Sequence, residues 1–167
     1  RPHRVICVCT KRYHGSYCQM LIPQIRLSLV DPLQYAGAVV QYFQIDFVSL
    51  QLLLVYQQAY KTLPRLIEYH HDGSAAPAIV VAKIYDTHAG SSPDVYLLSV
   101  ALNVTLINGT VEMSDASRCE SVHKISNGNF SRISVSSPIQ YHHICTVKNQ
   151  TACFRDADYL CICGIDH

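Results

Sequence analysis

The sequence predicts an all-β fold: a β-sandwich held between two cysteine-stapled ends. Three observations carry this. First, short runs of alternating or β-branched residues recur between turn-forming clusters from Met20 to Met113, and no stretch keeps the roughly 3.6-residue apolar period of an amphipathic helix. Second, the 8 cysteines lie at the ends: Cys7, Cys9 and Cys18 on one side, Cys145, Cys153, Cys161 and Cys163 on the other, with Cys119 alone and none between 19 and 118. Third, 49% of the 167 residues are hydrophobic and only 15% are charged, which supplies a core and leaves a surface poorer in charge than the ~25% of an average domain.

The elements follow in order. Gln24-Ile25-Arg26-Leu27-Ser28-Leu29 alternates polar and apolar, the period of a half-buried strand, and Asp31-Pro32 ends it. Ala38 to Phe47 alternates again, with Val39, Phe43, Ile45 and Phe47 on one face and Gln41 interrupting it. Leu50 to Tyr60 contains Leu52-Leu53-Leu54-Val55, a run that suits a buried strand or a short helix, and its β-forming neighbours favour the strand. Leu63-Pro64 breaks it, and Arg65 to His71 is a short strand. Asp72 to Pro77 reads as a loop, Ile79 to Tyr85 as a central strand, His88 to Pro93 as a loop and Val95 to Leu102 as a strand. Val104–Ile107 and Thr110–Met113 flank Asn108-Gly109, the strongest short hairpin signal because both residues tolerate positive φ in a type I′ turn. Residues 114 to 144 are polar and Ser-rich, and are expected to form loops with one or two edge strands.

This pattern gives a self-sufficient domain over 19–118, of the jelly-roll or immunoglobulin-like kind. A β-domain of about a hundred residues buries its own core, whereas small end segments need covalent staples. The ends are 1–18 and a disulfide-rich 119–167 with its polar lead-in.

Charge and composition exclude several functions. Lys and Arg number 13 against 12 Asp and Glu, a net charge of +1, so there is no basic field to neutralise nucleic-acid phosphates. The longest apolar candidate, Ile45 to Tyr56, is interrupted by Asp46, Ser49 and Gln51, so no span crosses a membrane. The chain starts at Arg1 without an apolar leader, and is expected to be a processed or excised piece of something longer. Four Asn-x-Ser/Thr sequons, at Asn103, Asn108, Asn129 and Asn149, combine with the dense cysteines to predict N-linked glycans and a secreted or cell-surface location.

No catalytic constellation emerges. His70-His71 and His142-His143 are adjacent pairs, and neighbours on a strand point to opposite faces, which makes them poor chelators of one metal. Cys161-Ile-Cys163 lacks the two-to-four-residue gap of a zinc knuckle. Ser74 and Ser91 follow glycines, but neither sits in Gly-x-Ser-x-Gly, and Asp72 beside His71 is an unspecific pairing. Glu68, Glu112 and Glu120 offer no recognisable pair for glycoside chemistry. The chain is therefore read as a non-enzyme without cofactor or metal. The 11 tyrosines, among them Tyr42, Tyr56, Tyr60 and Tyr85 on expected strands, are expected in the core with hydroxyls reaching its rim, or else on a contact surface.

The end segments carry a resemblance. Cys7-Val-Cys9, then Gly15-Ser-Tyr-Cys18, resembles the second half of an EGF-like module, in which Cys9 and Cys18 close a two-stranded hairpin, Tyr13 covers the bridge and Gly15 permits the tight turn. Cys145, Cys153, Cys161 and Cys163, with Tyr159 before Cys161, are similar to the second to fifth cysteines of another such module. Phe154-Arg155 after Cys153 and the lack of a leading acidic motif argue against its calcium-binding form. The resemblance implies pairings Cys9–Cys18, Cys119–Cys153 and Cys145–Cys161, with Cys119–Cys145 as an alternative. Cys7 and Cys163 would then lack intrachain partners and are expected to join a clipped neighbour or another copy.

Two such ends around a β-rich domain are similar to large multi-EGF surface proteins of invertebrate type. That likeness implies a structural or adhesive extracellular glycoprotein segment, with copies of itself or flanking modules of its parent chain as partners. Head-to-tail filament assembly is one expected form. The alternative is a receptor ectodomain module that binds a protein or glycan ligand.

Overall fold

The computed structural model describes residues 8–10, 12–22, 24–30, 35–46, 48–49, 51–70, 77–86, 92–100, 106–125, 144–146, 152–156 and 159–163. It is all-β apart from short helical turns. The strands are β1 (Tyr13–His14), β2 (Met20–Leu21), β3 (Gln24–Val30), β4 (Gly37–Asp46), β5 (Gln51–Tyr60), β6 (Leu66–His70), β7 (Ile79–Tyr85), β8 (Asp94–Val100), β9 (Leu106–Glu112), β10 (Glu120–Ser121), β11 (Cys153–Arg155) and β12 (Leu160–Ile162), with helix α1 at Val122–Ile125. They form a four-stranded sheet β5-β4-β7-β8, two three-stranded sheets β6-β3-β9 and β10-β11-β12, and the hairpin β1-β2.

The four-stranded sheet is the centre of the molecule because both of its faces are covered. On one face Ala38, Val40 and Tyr42 of β4, Val80, Ala82 and Ile84 of β7, and Tyr96 and Leu98 of β8 share a core with Ile25, Leu27 and Ile67 of the β6-β3-β9 sheet. On the other face Ile79, Val81 and Val95 pack with Cys119 and Cys153 of the C-terminal segment, flanked by Leu160 and Ile162 of β12. Successive strand residues point to opposite faces, so a strand covered on both sides needs an unbroken apolar run. Ile79-Val80-Val81-Ala82 is that run, and all four residues are buried.

Three elements differ from the sequence reading. Asn108-Gly109 is not a turn: β9 runs straight through it, in a seven-pair parallel ladder with β3 from Gln24↔Leu106 to Val30↔Glu112. The ladder pairs the side of β9 that faces β3 along the whole strand, and this long-range pairing outweighs local turn preference. In β4 the deeply buried face is Ala38, Val40 and Tyr42, while Val39, Phe43 and Ile45 are half-buried. Phe43 and Ile45 instead flank the second core cluster. Leu52-Leu53-Leu54 forms a strand, as expected, but an exposed one at the sheet edge rather than a buried one.

Candidate interaction surface and the disulfide frame

The N-terminal hairpin pairs Tyr13 with Leu21 and His14 with Met20, and a Cys9–Cys18 disulfide closes it. Gly15 sits at its turn with φ +95°, where a Cβ would come within 3.0 Å of the Gln19 and Met20 side chains. The positive φ is what calls for glycine there, since the Gln19 and Met20 side-chain ends could move aside. Cys119–Cys153 forms a second bridge, with its Cα atoms 4.8 Å apart.

The third bridge corrects the pairing that the resemblance implies. Cys145 bonds Cys163, not Cys161, and Cys161 is the free cysteine among the described residues. Cys161 and Cys163 lie two apart at β12, so the strand period turns both the same way. Both flank the cluster of Val122, Ile125, Ile144 and Phe154, as Cys145 does, and spacing alone does not choose between them. Cys163 is thus paired within the chain. Cys7 lies outside the described residues. Burial, with a smaller contribution from Asp156, pushes the Cys161 thiol up to about 11, which keeps it protonated and unreactive at neutral pH.

Of the sequon asparagines, Asn108 is exposed in β9, opposite Arg26 in the β3 ladder. Asn103, Asn129 and Asn149 lie outside the described residues. The sequence reading placed Asn108 in a turn, whereas the structure places it within β9.

Tyrosines tie the two large sheets together. Tyr42 and Tyr56 are register partners on β4 and β5, and Tyr69 reaches across from β6. Its ring stacks on Tyr42 at 4.3 Å and on Tyr56 at 4.9 Å between centroids, and Tyr42 and Tyr56 are 5.7 Å apart. Tyr42 is fully buried, whereas Tyr56 is 40% exposed. Burial, aided by the neighbouring Tyr60, Tyr56 and Tyr69 hydroxyls, raises the Tyr42 hydroxyl far above its ordinary range. The cluster is thus a core anchor whose outer ring reaches the surface beside β5.

That surface is the most distinctive one in the molecule. β5 is ten residues long, lies at the sheet edge and contains no charged residue and no proline in Gln51–Tyr60. Its register slips by one between Tyr42 and Phe43, so Val55 is an extra, bulged residue. The slip reverses which face each side chain takes. Tyr56, Gln58 and Tyr60 stand opposite Tyr42, Val40 and Ala38, while Leu54 and Leu52 stand opposite Phe43 and Ile45 on the other face. Leu52, Leu53 and Leu54 are 38%, 48% and 48% exposed, and Val48 at the hairpin tip is 96% exposed. The tip is closed by Asp46, which accepts the Val48 N–H at 3.0 Å and the Ser49 hydroxyl at 2.6 Å. Apolar side chains thus line both faces of an edge whose outward backbone groups have no strand partner among the described residues.

Compared with protein-family models, curated proteins and solved structures, the chain matches none. Three disulfides fit an oxidising, extracellular type of compartment. Among the described residues no helix is long and apolar enough to cross a membrane.

Proposed function

We propose that this chain is a non-enzymatic, extracellular structural or adhesive segment that associates with copies of itself through the β5 edge. The observation that carries the reading is that edge: ten uncharged residues, leucines on both faces and outward backbone groups without a strand partner among the described residues. Exposed edges are templates for strand addition, and natural proteins usually blunt them with charge, proline or a short strand. β5 has none of these, and its bulge is the one blunting device it retains. Strand addition supplies main-chain hydrogen bonds, and the exposed leucines supply apolar contact.

In this reading the two large sheets, which share one core, are the layers of a β-sandwich. The Cys9–Cys18 hairpin supports an EGF-like lead-in of the kind found in multi-EGF surface proteins. The Cys145–Cys163 bridge departs from the EGF-like pattern and weakens that likeness at the C-terminal end.

The test is light scattering and electron microscopy of the oxidised, glycosylated chain beside a Leu53→Lys, Leu54→Lys variant. The native chain is expected to form dimers or filaments, and the lysines are expected to leave monomers. Exposed substitutions of this kind change folding stability by only about 0.5 kcal/mol, so loss of assembly with an unchanged unfolding curve supports the edge. A native chain that stays monomeric at high concentration would refute it.

A further inference from the structure

A cleft of about 240 Å³ opens where the start of β8 meets β10, α1 and β11. That volume is several times the ~30 Å³ share of one liquid water. Its charged lining comes from Arg118, Lys124 and Arg155 against Asp94 and Glu120. Arg118 and Asp94 satisfy each other: the guanidinium donates to the carboxylate at 2.5 Å. Asp115 stands 3.9 Å from the same guanidinium on its outer side. What remains facing the cleft is two cations and one carboxylate, and none of Lys124, Arg155 or Glu120 forms an ion pair among the described residues.

Arg155 is the decisive residue. Its Nε is buried and has no hydrogen-bond acceptor among the described residues. A buried charged donor without an acceptor is costly, and native structures rarely leave one so. The cleft therefore holds one more free cation than carboxylate, and the Arg155 Nε is a donor that no lining acceptor reaches. Its walls are also fixed. Ser121 and Arg155 are partners in the parallel β10–β11 ladder, the Cys119–Cys153 disulfide joins the same two segments, and the Cys119 N–H donates to the Val95 carbonyl at 2.7 Å. Donors held on such a frame lose little freedom on binding.

We propose that this cleft binds a tetrahedral oxyanion, a sulfate or phosphate group. Arg155 offers a planar fork that matches two oxygens of such a group. Lys124 supplies a point charge and Ser121 a hydroxyl at the rim. Glu120 opposes the ligand and limits affinity, which makes it a diagnostic position. This site is independent of the β5 edge and lies on a different part of the molecule.

The experiment is an NMR titration of the intact oxidised chain with sodium sulfate against sodium chloride at matched ionic strength. The expected result is a saturating shift at the Arg155 Nε–H and the Ser121 amide. Lys124→Gln, on an exposed turn, is expected to weaken binding about threefold to tenfold, as loss of a charge-assisted contact does. Glu120→Gln is expected to strengthen it by a similar factor, which a merely structural disturbance would not do. A parallel titration with a monosulfated disaccharide distinguishes the source. Binding more than about tenfold tighter than sulfate assigns the group to a glycan, and equal binding assigns it to a free ion. A shift that rises linearly without saturation, or one indifferent to both Lys124→Gln and Glu120→Gln, overturns the proposal.

Discussion

The two edges of the central sheet are treated in opposite ways. β8 is covered from outside: the Leu97 N–H donates to the Ser117 carbonyl, the Cys119 N–H donates to the Val95 carbonyl, and Tyr96 bridges to Arg118. The covering segment is then locked by the Arg118–Asp94 ion pair and the Cys119–Cys153 disulfide. β5 has no such cover among the described residues, although it is the longer strand and, unlike β8 with its Asp94, carries no charge. The difference shows that an edge is silenced by a segment remote in sequence as well as by its own composition. Among the described residues, the same sheet thus has one edge covered by a segment that a disulfide ties to β11 and the other without a strand partner.

The largest effect that sharpens this contrast comes from removing the lock. Replacing Cys119 and Cys153 by alanine opens a loop with a sequence separation of 34. Loop-closure entropy then predicts a loss of about 3–4 kcal/mol, read by denaturant unfolding without reductant. Amide exchange at Leu97 and Cys119 should rise with it, because the cover over β8 loses its tether. If stability falls while those amides stay protected, the disulfide does not hold the β8 cover and the contrast between the edges has another cause.

A smaller effect is expected from Arg118→Ala. The side chains of Arg118 and Asp94 are 30% and 39% exposed, so solvent screening discounts their attraction to about 1 kcal/mol. The bond to Asp94 raises the Arg118 pKa further above its already high ordinary value, so this contribution is constant at any pH where Asp94 is ionised. The measurement is the unfolding midpoint at pH 7. A change as large as that of the disulfide would mean that the ion pair, not the covalent bond, holds the cover.

How far the sequence showed this depends on whether an element's identity or its environment is asked. The alternation over Gln24–Leu29 and the apolar run from Ile79 correspond to β3 and β7, because period and composition report local pleat and two-sided burial. Leu52-Leu53-Leu54 was legible as a strand but not as an exposed edge. Its run of leucines resembles a buried one, and only the topology places it outside β4. The Asn108-Gly109 signal failed because a parallel partner far away in sequence, β3, decides the conformation. The cysteine pairing at β12 failed for a geometric reason: two residues on one strand face are equivalent to a pattern reader. The Tyr69 stack and the orphaned Arg155 Nε arise from contacts between sheets, which no local signal encodes.

The smallest expected effect tests the open edge at its tip. Asp46 accepts the Ser49 hydroxyl and, secondarily, the Val48 N–H, and these bonds hold its carboxyl below its ordinary value. A carboxyl depressed in the folded state contributes stability above its unfolded pKa, and loses that contribution as pH falls through the folded pKa. The β4–β5 tip is therefore indifferent to pH near neutrality and loosens only in acid, below the ordinary carboxylate range. The group is fully exposed, so the readout is local: the Asp46 carboxyl and the Val48 amide followed by NMR during an acid titration. Ser49→Ala should move the Asp46 midpoint up toward its ordinary value, and Asp46→Asn should abolish the acid shift at Val48. An Asp46 that already titrates at its ordinary value would mean that the tip is not closed by these bonds. The apolar Val48 would then be carried on a loose loop rather than on a preformed extension of the β5 edge, and self-association through that edge would have to include the cost of ordering it.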